Sequence, residues 1–367
     1  MKYRTTTGTH PKKDFRVAVV YATDYAQLSI GGIKTYIESI GKNVPDNIHI
    51  TYIGVQSKDL TVKYPEGNFV GMRIKNPSKN LNLKFLISML KAKTEDFDLI
   101  ICHRAEMALF LRLFKRARVF LILHGGTLNA WYGSNKLFGA VYPIIEIISV
   151  MLSVKCFSVN PQSNFTPFKS FRKIHQAPII LDQETFNMEG ISKHRKNVFL
   201  VGRLEPEKRF NLAIHLFDEL SRVHQIDFEL EIIGDGSQRE HLEKLSNRLD
   251  VKTIFHGRQD AHYIANLFKV CARYLLITSK FEGFPIVALE ALACGVKVFA
   301  LNAPGVGENL SSLGCRVFSS YEDLLLELSN DISRNEDVRK INTELENLVG
   351  ESVAVFWREV KEAITIN

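Results

Sequence analysis

Residues 278–295 read TSKFEGFPIVALEALACG, and the rest of the chain can be interpreted outward from this stretch. The apolar run just before it, 273–278, is typical of a buried strand. After a short loop, Pro285 suits the first turn of a helix, because its missing N–H would have no partner there. Gly295 favours a left-handed end to that helix. The stretch therefore predicts a strand, a loop and a helix in close succession.

Two carboxylates bracket this turn, Glu282 in the loop and Glu290 inside the helix. A helix N-terminus offers unpaired N–H groups and a partial positive charge, which suit a phosphate. One carboxylate just ahead of the helix and another about a turn and a half inside it are placed to accept hydrogen bonds from hydroxyl groups. A phosphate and hydroxyl groups together indicate a nucleotide sugar.

The composition predicts two globular domains with different partners. The chain has 367 residues, of which 46% are hydrophobic and 24% charged. Residues 1–180 hold 25 Lys and Arg against 11 Asp and Glu, whereas 181–367 hold 22 against 29. Five scattered cysteines without a CxxC pair favour free thiols in a reducing compartment. The polar, basic N-terminus has no apolar core typical of a secretory signal, so we expect a cytoplasmic protein.

One segment, 137–154, is almost entirely apolar and about long enough to span a bilayer. It contains Pro143, Glu146 and two serines, and the run after it, 155–159, is typical of a strand. We therefore expect a helix buried between strands and no transmembrane anchor.

Short apolar runs alternate with amphipathic segments through both halves. In the first half, strands are predicted at 15–22, 48–55, 97–102, 119–124 and 156–159, with helices at 81–91, 105–114 and 137–153. In the second half, strands are predicted at 197–201, 228–233, 253–256, 274–278 and 296–301, with a capping box at 237–240 and a closing amphipathic helix at 353–360. This alternation predicts two doubly wound, Rossmann-like α/β domains with a hinge near 178–187. Such sheets bind ligands beyond the C-terminal ends of their strands, so two facing domains would form a binding cleft.

Candidate ligand-binding residues follow the predicted strands of the second half. Arg203 and Lys208 follow the first of them, and a guanidinium with an ammonium suits a diphosphate and the charge it gains on leaving. Weaker candidates, which plain turns explain equally well, are Gly234-Asp235-Gly236 and His256-Gly257.

In the first half, Gly31-Gly32 would let backbone approach a bound group at a helix start, although it is no complete dinucleotide fingerprint. His124 ends a predicted strand and could exchange a proton or bind a sugar hydroxyl, although lone histidines are more often structural. His103-Arg104 is a weaker second candidate. Residues 96–98 match a D-x-D metal pattern but lie at the wrong end of their strand, and no other cluster has the spacing of metal ligands.

Basic and apolar residues also alternate on two predicted helices of the first half. These sets are Arg112, Lys115, Arg116 and Arg118 among Leu111, Leu113 and Phe114, and Lys84, Lys91 and Lys93 near Leu83, Phe85 and Leu86. Such surfaces favour anionic lipid headgroups or an acidic acceptor, but ordinary solvated helix faces explain them almost as well. A nucleic-acid partner is not expected, because aromatic stacking platforms are missing.

Four motifs resemble, in order and spacing, those of the retaining glycosyltransferases of family 4, which have the GT-B fold. They are GRLEPEK at 202–208, IIGDG at 232–236, FHG at 255–257 and SKFEGFPIVALEALACG at 279–295. The resemblance is strong over 197–310 and weaker elsewhere, where GGIKTY, FDLIICH, LHGG and the closing FWREV add to it. It implies an acceptor-binding domain at 1–180, a nucleotide-sugar-binding domain at 181–345, and a terminal helix at 346–367 that crosses back to the first domain.

The resemblance also implies residue roles. Arg203 and Lys208 would hold the donor diphosphate, Glu282 the donor sugar and Glu290 the ribose, while His124 would line the sugar and acceptor side. Gly32 would lie against the diphosphate. The remaining donor contacts would be Gly31, Gly234, Asp235, Gly236, His256, Gly257, Gly283, Phe284 and Pro285. The family implies transfer with retention of anomeric configuration, without a cofactor or an obligatory metal, with the leaving diphosphate taking the acceptor proton.

The chain departs from the family pattern in three ways. The first domain is divergent, which leaves the acceptor open, and two motifs differ, of which the second approaches the donor and leaves its sugar or nucleotide open. Residues 179–182 read IILD where the family often has NGVD, and 304–308 read PGVGE where it usually has GGxxE. We expect a hexosyltransferase that uses a UDP-sugar and a cell-envelope glycan or lipid-linked acceptor, with possible peripheral contact to the inner face of an anionic membrane. The alternatives are a nucleotide-sugar epimerase or hydrolase on the same fold, and a catalytically silent binding subunit.

Overall fold

The computed structural model describes residues 14–24, 32–41, 44–56, 67–74, 81–125, 136–159, 174–224, 228–334 and 342–365. These residues form two parallel sheets, each flanked by helices. The strands in the middle of each sheet are buried along most of their length, whereas those at the edges are not, which explains why the middle strands have apolar rather than alternating sequences.

The first sheet has seven strands. They are β1 Phe15–Asp24, β2 Ile48–Gln56, β3 Asn68–Arg73, β4 Leu99–Cys102, β5 Val119–Leu123, β6 Lys155–Ser158 and β7 Ile174–Gln176. Their order is β3-β2-β1-β4-β5-β6-β7, and every pairing is parallel. The helices are α1 Gly32–Gly41, α2 Leu81–Met89, α3 Ala105–Phe114 and α4 Lys136–Leu152. Side chains of α1 join the core on one face of the sheet, and those of α2, α3 and α4 join the core on the other.

The second sheet has six strands. They are β8 Asn197–Val201, β9 Leu230–Ile233, β10 Thr253–Gly257, β11 Ala272–Ile277, β12 Lys297–Leu301 and β13 Arg316–Phe318. They lie in the order β10-β9-β8-β11-β12-β13, again all parallel. The helices are α5 Phe210–His224, α6 Arg239–Leu249, α7 Ala261–Val270, α8 Ile286–Ala293, α9 Gly307–Leu310 and α10 Tyr321–Arg334.

The terminal helix, α11 Asn342–Thr365, connects the two domains. Leu345 and Val349 near its start lie in the core of the second domain. Farther along, Phe356 and Trp357 lie in the core of the first domain. The predicted crossing of the terminal helix back to the first domain is therefore confirmed.

A hydroxyl on α11 also holds the segment between the two sheets. Ser352 Oγ accepts a hydrogen bond from Ile179 N at 3.0 Å and lies 3.1 Å from Ile179 O. The predicted hinge residues are therefore tied to the helix that both domains share.

Two expectations about helices are wrong. The capping box at 237–240 does not form: Gln238 precedes α6 without a side-chain cap, and Ser237 Oγ instead donates to Glu205 Oε2 at 2.6 Å.

The segment 137–154 forms α4, but this helix is not buried between strands. It covers the outside of the sheet, so one face is buried and the other, including Ile144 at 55% exposure, lies in solvent. Within the described residues, none of the helices has both the length and the apolarity needed to cross a bilayer.

Candidate functional site

The loops that follow β8, β9 and β10 lie side by side at one edge of the second sheet. Gly202 N donates to Ile233 O at 2.9 Å, and Gly234 N donates to Gly257 O at 2.8 Å. Gly234 has φ +143°, and a Cβ on it would lie 1.8 Å from Gly202 O. Only glycine fits between these backbones, so the strand ends can approach one another closely. The predicted candidates of this domain are thus gathered at the C-terminal edge of the sheet.

The turn Gly234-Asp235-Gly236 packs against the loop after β8. Leu204 N donates to Asp235 O at 3.0 Å, and a Cβ on Gly236 would lie 2.5 Å from Leu204 O. The Asp235 carboxylate accepts from Gly236 N at 2.9 Å. The two glycines therefore have a packing role in the protein itself, and their contact with a nucleobase stays a prediction.

Lys208 and Glu282 form the centre of the candidate site. Lys208 Nζ lies 2.5 Å from Glu282 Oε1, and Ser279 Oγ donates to the same oxygen at 2.6 Å. The two side chains are only 19% and 14% exposed, so the pair is partly withdrawn from water. An ion pair in this setting is less screened than one on the surface.

Hydrogen bonds to the backbone hold the loop after β8, which carries Lys208, against the loop after β11, which carries Glu282. Lys208 ends a 3₁₀ turn, Pro206–Lys208, and Arg209 after it has a left-handed backbone with φ 48°. Arg209 Nε donates to Thr278 O at 2.7 Å, and Thr278 Oγ1 donates to Lys208 O at 2.9 Å. The ammonium and the carboxylate are therefore fixed by the main chain rather than by their own contact alone.

Arg203 lies at the outside of the same loop. Its Nη2 contacts Glu207 Oε1 at 2.9 Å, and its side chain is 58% exposed. Because more than half of its side chain is exposed, Arg203 can also contact an anion that approaches the edge of the sheet.

Glu290 lies inside α8, and burial raises the pKa of its carboxyl to about 7, with the nearby Asp182 carboxylate adding to the effect. Asp182 belongs to the segment that departs from the family pattern, and its Oδ2 accepts from Thr185 Oγ1 at 3.0 Å. The carboxylates of Glu290, on α8, and of Asp182, in the segment between the two sheets, are therefore close enough to influence each other.

In the first domain, His124 and His103 form a pair at the ends of β5 and β4. His103 Nδ1 and His124 Nε2 are 2.9 Å apart, so one proton is shared between the two rings. Burial lowers the pKa of His124 to about 3, and it lowers the pKa of His103 well below 6.5, with His124 adding to the latter shift. The Tyr36 ring lies edge-on to His124 at 4.8 Å. His124 is therefore a neutral, oriented imidazole at physiological pH.

The two domains meet where His124 faces Gly283. A Cβ on Gly283 would lie 2.7 Å from His124 O and 3.7 Å from a methyl group of Val159. Phe284, next to it, packs against the cores of both domains, and Pro285 is buried. Glu282 is thus carried to the boundary between the domains.

The loop after β12, which departs from the family pattern, packs against the backbone of Glu282. Glu282 N donates to Pro304 O at 2.9 Å, and Asn309 Nδ2 donates to Gly305 O at 2.8 Å. A Cβ on Gly305, whose φ is +77°, would lie 1.7 Å from Glu282 O. The altered loop therefore still packs directly against the site.

The remaining predicted site residues lie at the end of β10 and at the start of α1. His256 is held at both ring nitrogens, by Glu231 Oε2 at 2.6 Å and by Tyr263 OH at 3.0 Å. Gly257 has φ +68°. Gly32 is the first residue of α1, and Gly31 lies outside the described residues.

Asp98 of the D-x-D pattern accepts a hydrogen bond from Arg16 N at 2.7 Å, just before β4 and at the edge of the sheet away from the site. Among the residues that the structure describes, no group of three or more His, Cys, Asp or Glu side chains has an arrangement that would hold a metal ion.

Sequence reasoning missed several residues that build the site. Ser279 and Arg209 were adjacent to named candidates, and their polar side chains in loops after strands were an available signal. Asp182 and Asn309 had no local signal, because their contacts with the site depend on how distant loops meet.

Part of the chain matches a known protein family by sequence. Residues 182–341 match the family model for glycosyl transferases group 1. The lipopolysaccharide 1,6-galactosyltransferase of Salmonella typhimurium strain LT2 is 41% identical over 103 residues, which are 27% of this chain and 28% of that protein. The first three curated relatives, all uncharacterized glycosyltransferases, are matched over only 42%, 30% and 31% of their own lengths.

Solved structures match over nearly the whole chain. Sucrose-phosphate synthase from Thermosynechococcus elongatus superposes with a TM-score of 0.77 at 14% identity, covering 95% of this chain and 98% of that one. Anabaena Alr3699/HepE in complex with UDP-glucose gives 0.66 at 15% identity, covering 96% and 99%. At these identities the likeness concerns the fold, and it confirms the predicted GT-B architecture. Residues 182–341 therefore resemble the group 1 glycosyltransferases in sequence, and the two domains together have the GT-B fold.

Proposed function

We propose that this protein is a retaining hexosyltransferase that moves a sugar from a nucleoside diphosphate sugar to a cell-envelope glycan or lipid-linked acceptor. The observation that carries the proposal is the Lys208–Glu282 pair, 2.5 Å apart at the boundary of the two domains. In this pair, the Lys208 ammonium is suited to bind a diphosphate, and the Glu282 carboxylate beside it is suited to accept hydrogen bonds from sugar hydroxyls. Arg203, on the same loop and largely exposed, supplies a second cation.

The reaction breaks the bond between the anomeric carbon and the diphosphate oxygen and forms a bond from that carbon to an acceptor oxygen. Negative charge grows on the leaving diphosphate, and the Lys208 ammonium and the Arg203 guanidinium stabilise it. The acceptor hydroxyl gives its proton to a leaving diphosphate oxygen. In this scheme these two cations take the part that a metal ion plays in other transferases, so activity does not require one.

Glu282 and Glu290 divide the hydroxyl groups of the donor. Glu282, held by Lys208 and Ser279, is assigned to the transferred sugar, and Glu290 is assigned to the ribose. His124 reaches the same boundary from the first domain and is assigned to the sugar and acceptor side. As a neutral imidazole it offers one donor and one acceptor, and one of these is already used by His103.

Uridine is the expected base, and the acceptor is expected in the cell envelope. The UDP-glucose complex of Alr3699/HepE supports a uridine nucleotide as partner. The lipopolysaccharide galactosyltransferase of Salmonella supports an envelope glycan.

A thermal-shift panel of UDP-, GDP- and ADP-sugars, with and without EDTA, tests the donor. We expect one nucleotide class to raise the melting temperature by mass action, equally with and without EDTA. Arg203→Ala and Lys208→Ala should each reduce this shift and lower transfer activity. Lys244→Ala, which removes an exposed lysine of the same domain that is 74% accessible, should change neither. Folded Arg203→Ala and Lys208→Ala variants with full activity would disprove the assignment.

Incubation of donor without acceptor separates this proposal from the rival enzymes. A transferase should turn over its donor slowly under these conditions, and rapid conversion would indicate an epimerase or hydrolase. Failure to bind any nucleotide would indicate a silent binding subunit.

A further inference from the structure

The outer surface of α2, α3 and α4 exposes an unusual number of large apolar side chains. These three helices bury their inner faces in one core on the same side of the first sheet, so their outer faces all point away from that sheet, and together they are here called the α2–α4 surface. Ten of the 17 exposed large apolar side chains in the described part of the chain lie on it or directly after its helices. They are Leu83, Ile87, Leu90, Leu113, Phe114, Val141, Ile144, Ile148, Met151 and Val154.

Helix α4 contributes a stripe without charge. Val141, Ile144, Ile148 and Met151 recur every three or four residues, so they line one side of the helix, and they are 40% to 57% exposed. The carboxyl group of Glu146, on the opposite side, is buried at 4% exposure. Apolar patches of this extent on a soluble domain mark a surface that contacts a partner or a membrane.

Basic residues lie at one end of this surface, just after the last residues of α2 and α3. Lys91 and Lys93 follow α2 and are exposed, and Arg116 follows α3 and is exposed as well. Lys115 Nζ donates to Ala92 O at 2.9 Å, which holds the two helix ends together.

Acidic residues are few on these three helices, and they do not lie in the apolar stripe of α4. The two carboxylates on the three helices are those of Glu146, which is buried, and Glu106, which contacts Arg104. The exposed Glu95 and Asp96 lie in the turn into β4, next to Lys93 in the sequence.

We propose that the α2–α4 surface docks on the face of a bilayer that contains anionic lipid. An apolar stripe bordered by cations fits the boundary between headgroups and acyl chains, where apolar side chains enter and lysines stay among the phosphates. A second copy of this chain fits less well, because it would bring two basic edges of the same sign together. Docking here is independent of the donor site, since the surface belongs to helices of the other domain.

Sedimentation of the full chain with vesicles tests this proposal. Vesicles of phosphatidylcholine alone are compared with vesicles of equal parts phosphatidylcholine and phosphatidylglycerol. We expect binding to the anionic vesicles, weaker binding to the neutral ones, and a decrease with added salt. The double variant Ile144→Glu and Ile148→Glu should reduce binding to the anionic vesicles on the order of tenfold or more.

The matched control is Val223→Glu with Val270→Glu, which adds the same charge at exposed valines of the second domain, 71% and 50% accessible. It should bind as the unaltered chain does. Nucleotide binding reports on the second domain, and the melting temperature of each variant shows that it is folded. Equal binding by Ile144→Glu with Ile148→Glu, or no binding by the unaltered chain, would overturn the proposal. So would a dimer in size-exclusion chromatography that this variant dissociates, because a second copy would then cover the surface.

Discussion

Lys208 and Glu282 are 74 positions apart in the sequence, yet their charged atoms lie 2.5 Å apart. The sequence identified both residues as candidates through their places after β8 and β11, but it assigned them to different parts of the donor. Their contact arises because β8 and β11 are neighbours in the sheet, which brings the two loops together. A residue's chemistry could thus be predicted locally, whereas its partner depended on strand order.

The contact between His103 and His124 leads to a prediction about positioning. His103→Ala should leave one nitrogen of His124 without its partner and allow that ring to rotate. A hydrogen bond of this kind contributes about 0.5–1.5 kcal/mol, so we expect kcat to fall about three- to tenfold with little change in the KM for donor. His103→Asn, which keeps a polar side chain, should recover part of the loss. A change confined to the KM for donor would contradict this role.

The raised pKa of the Glu290 carboxyl predicts that donor binding depends on pH. Because burial raises the pKa of this carboxyl to about 7, the group is largely protonated at pH 6 and largely ionised at pH 8. The ionised form accepts hydrogen bonds from ribose hydroxyls more strongly, so affinity for a nucleotide sugar should rise with pH through about 7 and then level off. Calorimetric titrations from pH 5.5 to 8 would measure this, on the order of tenfold or less.

Glu290→Gln, which has no titrating carboxyl, is the matched control and should show a flat profile. An unchanged profile in this variant would assign the dependence to another group. The His124 imidazole should not contribute over this range, since burial lowers its pKa to about 3.

At the scale of elements, the loop between β11 and α8 is constrained by both domains. A methyl group at Gly283 would meet the backbone carbonyl of His124 at 2.7 Å, and neither backbone can move aside easily. Gly283→Ala should therefore push the domains apart at the site and lower transfer activity at least about tenfold while the fold is kept. Gly350→Ala, where an added Cβ meets nothing within 4 Å, should keep full activity. Equal activities of the two variants would show that the boundary is not part of the site.

Elements with strong apolar runs could be predicted, and those without them could not. The strand predicted at 197–201 coincides with β8. Four of its five residues are buried: three of them are apolar, and Asn197 hydrogen-bonds to Glu231. β3, β7 and β13 were not predicted, since they are short, partly exposed strands at or near sheet edges. The stop of α8 at Gly295, with φ +66°, followed from local chemistry alone. The capping box failed because Ser237 found a better partner in Glu205, 32 residues away.

At the scale of the whole molecule, α11 contributes side chains to the cores of both domains. Phe356 is 1% exposed in the core of the first domain, next to Val355, which is 44% exposed on the same helix. Phe356→Ala should lower the free energy of unfolding by about 3–5 kcal/mol because it leaves a cavity. Val355→Ala should change it by less than about 0.5 kcal/mol. Urea denaturation would measure both, and equal effects would show that α11 does not hold the first domain.

The sequence predicted this architecture well because each domain repeats one unit of strand, loop and helix. The terminal helix and the two domains were both anticipated. The exposed apolar surface of α4 was not, because an almost entirely apolar run does not reveal which of its sides faces the sheet.

The central claim is that Lys208, beside Glu282, recognises the diphosphate of the donor. Isothermal titration calorimetry with UDP and UMP tests it most directly, because the two ligands differ by one phosphate. We expect the unaltered protein and Lys244→Ala to bind UDP at least about tenfold more tightly than UMP, and Lys208→Ala to bind the two almost equally. A folded Lys208→Ala variant that keeps the full preference for UDP would contradict the account.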